Sequence, residues 1–411
     1  MSIQRRSLLA AAGAAPLAGA FKSRSARAQA NTIKIGVLTD MSGLYRDLAG
    51  PGSLRAVQLA VQESGIAQRG VTVEILSADH QNRPDVGSTI ARQWIDRDGV
   101  DAIIDVPTSS VALAVSGITR EKNKILLNSG AAASDLTGSA CSPNTIHWTY
   151  DTWMLASSTG GAMVRAGGQT WFFLTADYAF GHALERDTSE FVRNAGGRVV
   201  GQVRTPFPGT TDFSSYLLQA QTSRAQVVGL ANAGGDTINS IKQAAEFGLT
   251  RGGRVKLAGL LVFITDVHSL GLQTAQGLVL TETFYWDLND KTRGLSTRMS
   301  LAGGAKPSMV QAGCYSSVLH YLKAVGEMGV AAAKASGAEA IAKMKSMPTD
   351  DDAFGPGSIR ADGRKIHPSY LFEVKAPGES RGAWDYYKLL STTPADQAFR
   401  PIAQGGCALV R

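Results

Sequence analysis

Cysteine and histidine are scarce and dispersed in this 411-residue sequence. The three cysteines have none of the CxxC spacing of metal or redox sites, and the six histidines have no metal-ligand spacing. The HExxH motif of zinc proteases, the GxSxG turn of serine hydrolases and the Gly-Lys dipeptide of a phosphate-binding P-loop are also missing. These absences argue against an enzyme, and the sequence predicts neither a cofactor nor a metal site.

The sequence also has no apolar run of the roughly 20 residues that a helix needs to span a bilayer. The longest candidate, residues 8–20, follows Arg5 and Arg6 and precedes the small-x-small sequence Ala28-Gln29-Ala30. This arrangement predicts an export signal over residues 1–30, with cleavage near Ala30, and the paired arginines resemble a twin-arginine signal. A membrane anchor is the alternative, but the apolar run is too short for it. Whether the Tat or the Sec route reads the signal stays open.

Charged residues make up only 18% of the chain and hydrophobic residues 44%, as in a folded globule. The net charge is +7, but five cations without an acid lie in the first thirty residues: Arg5, Arg6, Lys22, Arg24 and Arg27. Removing those five charges leaves +2 for the remainder. No later cluster of Lys and Arg carries interleaved aromatic residues, so the composition argues against a nucleic-acid partner.

Apolar strand patterns alternate with helical patterns from residue 32 to residue 138, and the alternation begins again at residue 170. This order is typical of doubly wound parallel sheets, and the length favours two domains. The sequence therefore predicts an α/β protein with two Rossmann-like lobes, a connector near residue 150 and a cleft between them. An NAD-type oxidoreductase is the enzyme with the same plan, but residues 39–43 after the first strand contain no GxGxxG.

Small polar residues follow two neighbouring predicted strands of the first half. Residues 101–106 run into Pro107-Thr108-Ser109-Ser110, and residues 124–128 run into a turn from Ser129 to Asp135. Small side chains let a ligand approach the backbone, and free amides at a helix start favour an anionic group. Two such turns at one sheet edge predict a small-molecule site. The alternative is that Ser109 and Ser134 only cap helices.

The cysteines leave two possibilities open. In an exported protein one pair can be oxidised, and Cys141 with Cys407 is the favoured pair because both lie in loop-like contexts. Cys314 lies on the apolar face of a predicted helix over residues 308–328. The other possibility is that all three are reduced.

Five segments of the chain carry a resemblance to a known family. They are residues 35–43, the Ser109-Ser110 turn, residues 130–137, residues 177–181 and residues 243–248. In this order, behind an export signal, they resemble the periplasmic solute-binding proteins of ABC importers of the branched-chain amino acid type. The resemblance implies two lobes joined by a three-segment hinge that closes on a ligand. Lobe 1 would comprise residues 31–148 and 283–356, and lobe 2 residues 149–282 and 357–411.

The resemblance also implies a ligand site. The Ser109-Ser110 turn and the turn from Ser129 to Asp135 would bind a ligand carboxylate. Aromatic side chains would pack against the ligand, and residues of the second lobe would contact it from the other side of the cleft. The sequence departs from the family at Ala132 and Ala133, where such proteins often have a threonine. Backbone amides or Ser134 would therefore have to replace the threonine hydroxyl as donors to the ligand carboxylate. Whether Asp236 faces a ligand ammonium group stays open. The implied residues are Ser109, Ser110, Ala131, Ala132, Ala133, Tyr150, Tyr178, Gly234, Asp236 and Phe263.

On this interpretation the protein is a periplasmic, monomeric, non-enzymatic carrier. It would capture a small carboxylate-bearing ligand, such as a branched-chain or other amino acid, an amide or an aromatic acid, and deliver it to ABC permease subunits. The alternative is a ligand-binding module that reports to a sensor kinase or receptor, because fold and cleft would be the same.

Overall fold

The structure is a computed structural model that describes residues 31–410. The predicted export signal, residues 1–30, lies outside the described residues. Over the described range, none of the helices combines the length and the apolar character that crossing a membrane requires.

The first lobe is built on a five-stranded parallel sheet with the strand order β2-β1-β3-β4-β5. Every residue of β3 and β4 is buried, because helices cover both faces of the sheet. The strands are β1 (Thr32–Thr39), β2 (Thr72–Asp79), β3 (Ala102–Asp105), β4 (Ile125–Asn128) and β5 (Thr145–His147).

The second lobe contains a four-stranded parallel sheet with the order β7-β6-β8-β9 and a three-stranded antiparallel sheet with the order β10-β13-β14. One hydrophobic cluster joins the two sheets, with Leu174 and Val228 from the first and Leu280 and Phe372 from the second. These strands are β6 (Thr170–Ala176), β7 (Arg198–Thr205), β8 (Val227–Ala231), β9 (Lys256–Gly259), β10 (Val279–Glu282), β13 (Ser369–Val374) and β14 (Tyr387–Thr393); a separate pair is β11 (Ser358–Ile359) and β12 (Lys365–Ile366).

The helices between residues 50 and 246 lie in the connections between parallel strands, as the alternating pattern predicts, whereas those between residues 264 and 346 follow β9. They are α1 (Gly50–Glu63), α2 (Pro84–Gln93), α3 (Ser109–Glu121), α4 (Thr152–Leu155), α5 (Gly161–Arg165), α6 (Ala179–Asn194), α7 (Ser214–Thr222), α8 (Gly235–Glu246), α9 (Ile264–Leu270), α10 (Leu272–Ala275), α11 (Asp290–Met299), α12 (Met309–Met328), α13 (Val330–Ala335) and α14 (Gly337–Ser346). Proline lies in the first turn of α1 and of α2, where its missing N–H costs nothing.

Helix α12 returns to the first lobe and packs along α1. Its N-cap, Ser308, donates a hydrogen bond to the Leu48 carbonyl at 2.5 Å and accepts one from the Gln311 amide at 3.2 Å. Gly52 on α1 lies so close to the Gln311 side chain that a Cβ there would come within 2.2 Å of its amide nitrogen. A small residue at this position therefore permits the close approach of the two helices.

The C-terminal segment contacts both lobes, whereas the family resemblance implies that all of residues 357–411 belong to lobe 2. The β11-β12 pair lies against the first lobe, where the backbone of Arg364 forms a parallel β-bridge with His147 of β5. Strand β13 then pairs with β10 of the second lobe, whereas β11 and β12 pair only with each other. After Thr393 the chain turns back, and Cys407 forms a disulfide with Cys141 across 266 residues. The chain thus passes between the lobes a fourth time, beyond the three crossings expected.

Candidate ligand-binding site

A narrow cavity with about 10 Å³ of free space lies between the carboxyl ends of the two parallel sheets. This edge is where ligands bind in open α/β folds. The first lobe and the connector contribute Tyr45, Leu48, Pro107, Gly130, Ala132 and Tyr150; the second lobe contributes Tyr178, Phe180, Ala233, Leu261 and Phe263. Most of these side chains are apolar or aromatic, so the cavity favours a ligand with a small hydrophobic body.

Four of the residues predicted from the sequence line this cavity: Ala132, Tyr150, Tyr178 and Phe263. Tyr150 is fully buried, and its hydroxyl donates a hydrogen bond to the Gly130 carbonyl at 2.6 Å. Its ring meets the Phe263 ring edge to face, with the centroids 5.7 Å apart. The connector and the second lobe therefore form one aromatic wall.

The two predicted turns of the first lobe do come together at the cavity. Ser109 Oγ accepts a hydrogen bond from the Ala133 amide at 3.2 Å and so joins the first turn to the second. Gly130 fits between them because a Cβ there would lie 2.6 Å from Pro107 Cα and 2.9 Å from Asp105 Oδ1. A larger residue at 130 would push the turns apart and fill the cavity.

Protein groups already use three backbone amides of the second turn. Besides the Ala133 amide, the Ala131 amide donates to Asn128 Oδ1 at 3.1 Å and the Ser134 amide donates to Thr152 Oγ1 at 3.1 Å. The expected carboxylate contact cannot draw on these three N–H groups without breaking those bonds. The backbone amides at the start of α3 are better donors for the carboxylate. The first amides of a helix have no partner within that helix, and the side chain of the N-cap residue, Thr108, does not accept from them.

Ser109 and Ser134 do not cap helices. Ser109 is the first residue of α3 rather than its N-cap. The hydroxyl of Ser134 donates to Asp187 Oδ2 in α6 of the second lobe at 2.8 Å. Asp151, next to the connector, is the residue that caps a helix: its carboxylate accepts from the Met154 amide at 2.8 Å.

Strained backbone lies directly beneath the first turn. Asp105 and Val106 have φ values of 81° and 58°, which non-glycine residues rarely adopt. Such conformations cluster at functional sites, where the surrounding structure holds them in place. Asp105 is fully buried, and burial raises the pKa of its carboxyl to about 6.

The mouth of the cavity is closed by contacts between the lobes. The hydroxyls of Tyr45, from the first lobe, and Tyr178, from the second, lie 2.5 Å apart. Phe207, also in the second lobe, stacks on the Tyr178 ring at a centroid distance of 3.9 Å and on the Tyr45 ring of the first lobe at 5.8 Å. Beside them the Gly235 amide donates to the Leu44 carbonyl at 3.2 Å. We call these contacts of Tyr45, Tyr178, Phe207, Leu44 and Gly235 the mouth contacts; they hold the lobes in a closed arrangement.

Sequence reasoning missed Tyr45 and Phe207. Tyr45 could have been found, because it follows β1 and so lies at the carboxyl edge of the first sheet, as Tyr178 follows β6 in the second. Phe207 lies in the loop after β7, the edge strand of its sheet. No sequence motif around it indicates a ligand site.

Asp236, at the start of α8, lies beside the mouth contacts. The residue is fully buried, and among the described residues neither carboxylate oxygen has a hydrogen-bond partner. Burial raises the pKa of this carboxyl to about 7. Burial is the main cause that raises the pKa of Tyr45 and of Tyr178, and the negative charge of Asp236 raises both pKa values further. Gly234 brings α8 this close: its φ is 56°, and a Cβ there would lie 2.5 Å from the Leu44 carbonyl oxygen.

Polar side chains near the connector tie the second turn to the second lobe. Asp187 is 5% exposed and accepts hydrogen bonds from Ser134 Oγ and, at 2.6 Å, from Thr152 Oγ1. Arg186 pairs with both Asp187 and Asp135. In residues 31–410, no group of three or more His, Cys, Asp or Glu side chains is arranged to hold a metal ion.

Residues 32–382 match the family of periplasmic binding proteins. The chain belongs to this family. A solved periplasmic binding protein from Burkholderia mallei is 48% identical, with a TM-score of 0.88 over 93% of this chain and 100% of the other. The branched-chain amino acid ABC transporter periplasmic ligand-binding protein of Burkholderia xenovorans LB400 is 39% identical, with a TM-score of 0.78 over 92% and 99%.

More distant structures share the fold. A solute-binding protein of an ABC transporter from R. palustris, solved with benzoate, is 23% identical, with a TM-score of 0.78 over 89% of this chain and 97% of the other. No curated protein matches the chain. Membership of the periplasmic binding protein family makes the protein a binding protein rather than an enzyme and agrees with two similar lobes around one closed cleft.

Proposed function

We propose that the protein is the periplasmic solute-binding component of an ABC importer and that it captures a small zwitterionic amino acid between its lobes. The observation that carries the choice of ligand is Asp236, a buried carboxylate without a partner beside the cleft. An ionised carboxylate in an apolar environment is costly unless it is paired. A ligand ammonium group would supply the missing charge and several hydrogen-bond donors.

The negative end of the ligand has a place on the first lobe. Pro107 lines the cleft directly before α3, whose start carries no side-chain cap. The amides of Ser109 and Ser110 at this helix start favour a carboxylate, both as donors and through the helix dipole. A ligand with a carboxylate here and an ammonium group at Asp236 would touch both lobes at once. Binding would then stabilise the closed arrangement.

The lining of the cavity favours a short hydrophobic side chain. The closed arrangement leaves only about 10 Å³ of free space between the walls, roughly what one water molecule needs, so the lobes must part to admit the ligand. Tyr150, Tyr178 and Phe263 would pack around that side chain. A benzoate, as bound by the R. palustris protein, would fit the aromatic walls but would leave Asp236 unpaired, so an amino acid is the better match.

Delivery to a permease is the second part of the proposal. The Burkholderia xenovorans relative, 39% identical, is described as part of an ABC transporter for branched-chain amino acids. We infer the same kind of partner here, with a monomeric protein exported by its twin-arginine-like signal and cleaved near Ala30. Opening of the lobes about the crossings near Tyr150 would release the ligand to the permease.

A thermal-shift screen tests the proposal, because a ligand that binds only the folded state raises the melting temperature. The panel should contain the small aliphatic amino acids, their amides, their deaminated acids and benzoates. We expect the amino acids to stabilise the protein, and the deaminated acids to do so far less. A benzoate or deaminated acid that stabilises as strongly as any amino acid would contradict the assignment of Asp236. The Asp236→Asn variant should lose the preference for the amino acid.

A further inference from the structure

A second cavity lies beside the ligand cleft and is lined by cationic side chains. We call it the rim cavity; its volume is about 480 Å³. The first lobe provides most of the lining and the second lobe provides Thr265. Three cations, Arg46, Arg55 and Lys306, face one acid, Asp47. The positive charge of this cavity therefore exceeds its negative charge.

Protein carboxylates leave this positive charge largely unneutralised. Within residues 31–410, neither Arg55 nor Lys306 forms an ion pair with a carboxylate. The Arg55 guanidinium donates to the Met299 carbonyl at 3.0 Å, and Lys306 Nζ lies 4.5 Å from the centroid of the Trp286 ring. Arg46 Nη1 is 3.9 Å from Asp47 Oδ1, and both side chains are more than half exposed. Water screens such an exposed pair strongly, so it offsets little of the charge.

One short segment belongs to both cavities. Tyr45 and Leu48 line the ligand cleft, whereas Arg46 and Asp47, which lie between them in the sequence, line the rim cavity. Thr265 is the next residue but one after Phe263, which walls the ligand cleft. A group bound in the rim cavity would therefore hold the Tyr45 segment in the position that it occupies when the mouth contacts are made.

We propose that the rim cavity binds an oxyanion, with carboxylate or phosphate oxygens, and that the bound anion stabilises the closed arrangement. Arginine and lysine together are the residues that recognise such oxygens best. Two sources carry this chemistry: a free polyvalent anion and the acidic side chains of a docked membrane partner. Because coupling between two sites is reciprocal, an anion in the rim cavity also tightens binding in the ligand cleft.

The experiment uses the mature protein with inorganic phosphate and, separately, a hexaglutamate peptide, at an ionic strength held constant with sodium chloride. Melting temperature and calorimetric titration are measured for the wild type and four variants. Lys306→Gln and Arg46→Gln are expected to weaken anion binding by about two- to fivefold each. Asp47→Asn is expected to tighten it by a similar factor. Arg254→Gln removes an exposed cation outside the rim cavity and is the matched control.

Phosphate binding that depends on Lys306 and Arg46 supports a free anion as the source. Binding of hexaglutamate alone, with the same dependence, supports an acidic partner. The proposal is overturned if neither anion raises the melting temperature of the wild type. It is also overturned if Arg254→Gln weakens binding as much as Lys306→Gln, or if Asp47→Asn leaves the affinity unchanged.

Discussion

The hydroxyl of Tyr45 and the hydroxyl of Tyr178 lie 2.5 Å apart although the residues are 133 positions apart and belong to different lobes. Each follows the first strand of its own parallel sheet, β1 or β6, so the two occupy equivalent places in two similar halves. Because the two hydroxyls belong to different lobes, moving the lobes apart would break this contact. It is therefore a direct link between the geometry of the mouth and the affinity for a ligand held behind it.

Removing either hydroxyl should weaken ligand binding without unfolding the protein. A hydrogen bond of this kind contributes about 0.5–1.5 kcal/mol net, so Tyr178→Phe and Tyr45→Phe should each lower affinity by about two- to tenfold. The double variant should lose little more than one single variant, because both remove the same contact. Calorimetric titration with the ligand found by the thermal-shift screen measures all three, and Tyr216→Phe, on α7, is the control. Fully additive losses would show that the two hydroxyls act independently.

Deletion of the whole Tyr178 ring should cost more. Tyr178→Ala removes a wall of the cavity and the stack with Phe207. We expect the affinity to fall by more than about tenfold, since a partly buried aromatic ring contributes through its area as well as its stacking. An unchanged affinity in Tyr178→Ala would place the ligand outside this cleft.

Ligand affinity should rise with pH through the pKa of Asp236, which burial raises to about 7. Only the ionised carboxylate pairs with an ammonium group, so at pH 5 binding should be about 100-fold weaker than its plateau above pH 8. In the unliganded protein the same raised pKa works against folding as the pH rises from about 4 to 7, because the unfolded chain releases that proton more readily. Titrations between pH 5 and 8.5 measure the effect. Asp236→Asn should bind weakly at every pH, and a pH dependence that survives in this variant would assign the effect to another group.

Filling the cavity from the first lobe should block binding while the fold persists. Ala132 is 2% exposed and lines the cavity, so the leucine of Ala132→Leu occupies the space of the ligand side chain. Overpacking of this kind costs about 1–3 kcal/mol of stability. The thermal shift caused by the ligand should disappear, whereas Ala67→Leu at an exposed position should keep it. If Ala132→Leu kept the thermal shift of the wild type, the cavity lined by residue 132 would not be the ligand site.

The disulfide between Cys141 and Cys407 should support the C-terminal return to the first lobe. Breaking it removes a constraint on a long loop, and we expect Cys407→Ser to lose about 3–5 kcal/mol of unfolding free energy. The double variant Cys141→Ser with Cys407→Ser should lose no more than the single variant. Thiol titration of the denatured, unreduced protein should find one thiol, that of Cys314, which is free in the structure. Three thiols would contradict the pairing.

The architecture could be predicted because buried parallel strands leave continuous apolar runs in the sequence. Residues 101–106 and 124–128 were expected as strands, and the structure has β3 and β4 there. The sheet edge could also be predicted, since parallel strands separated by helices end on the same side. For this reason the turns that contain Ser109 and Ala132 could be placed side by side, whereas Tyr150, Tyr178 and Phe263 were implied by the family resemblance.

Other features depend on pairings that no local pattern encodes. Strand β13 follows β12 closely in the chain, but it pairs with β10, which lies about 90 residues earlier. The second turn looked like a set of bare amides, whereas Asn128, Ser109 and Thr152 use three of them. Side-chain acceptors that are distant in sequence decide which N–H groups remain for a ligand. Only the packed structure shows them.

The most direct test is a crystal structure of the protein with the amino acid that stabilises it most. We predict density for the ligand between Tyr150, Tyr178 and Phe263, with its nitrogen within about 3 Å of an Asp236 oxygen and its carboxylate at the start of α3. The lobes should be closed, with the hydroxyls of Tyr45 and Tyr178 in contact. A ligand bound outside this cleft, or one whose nitrogen points away from Asp236, would contradict the account.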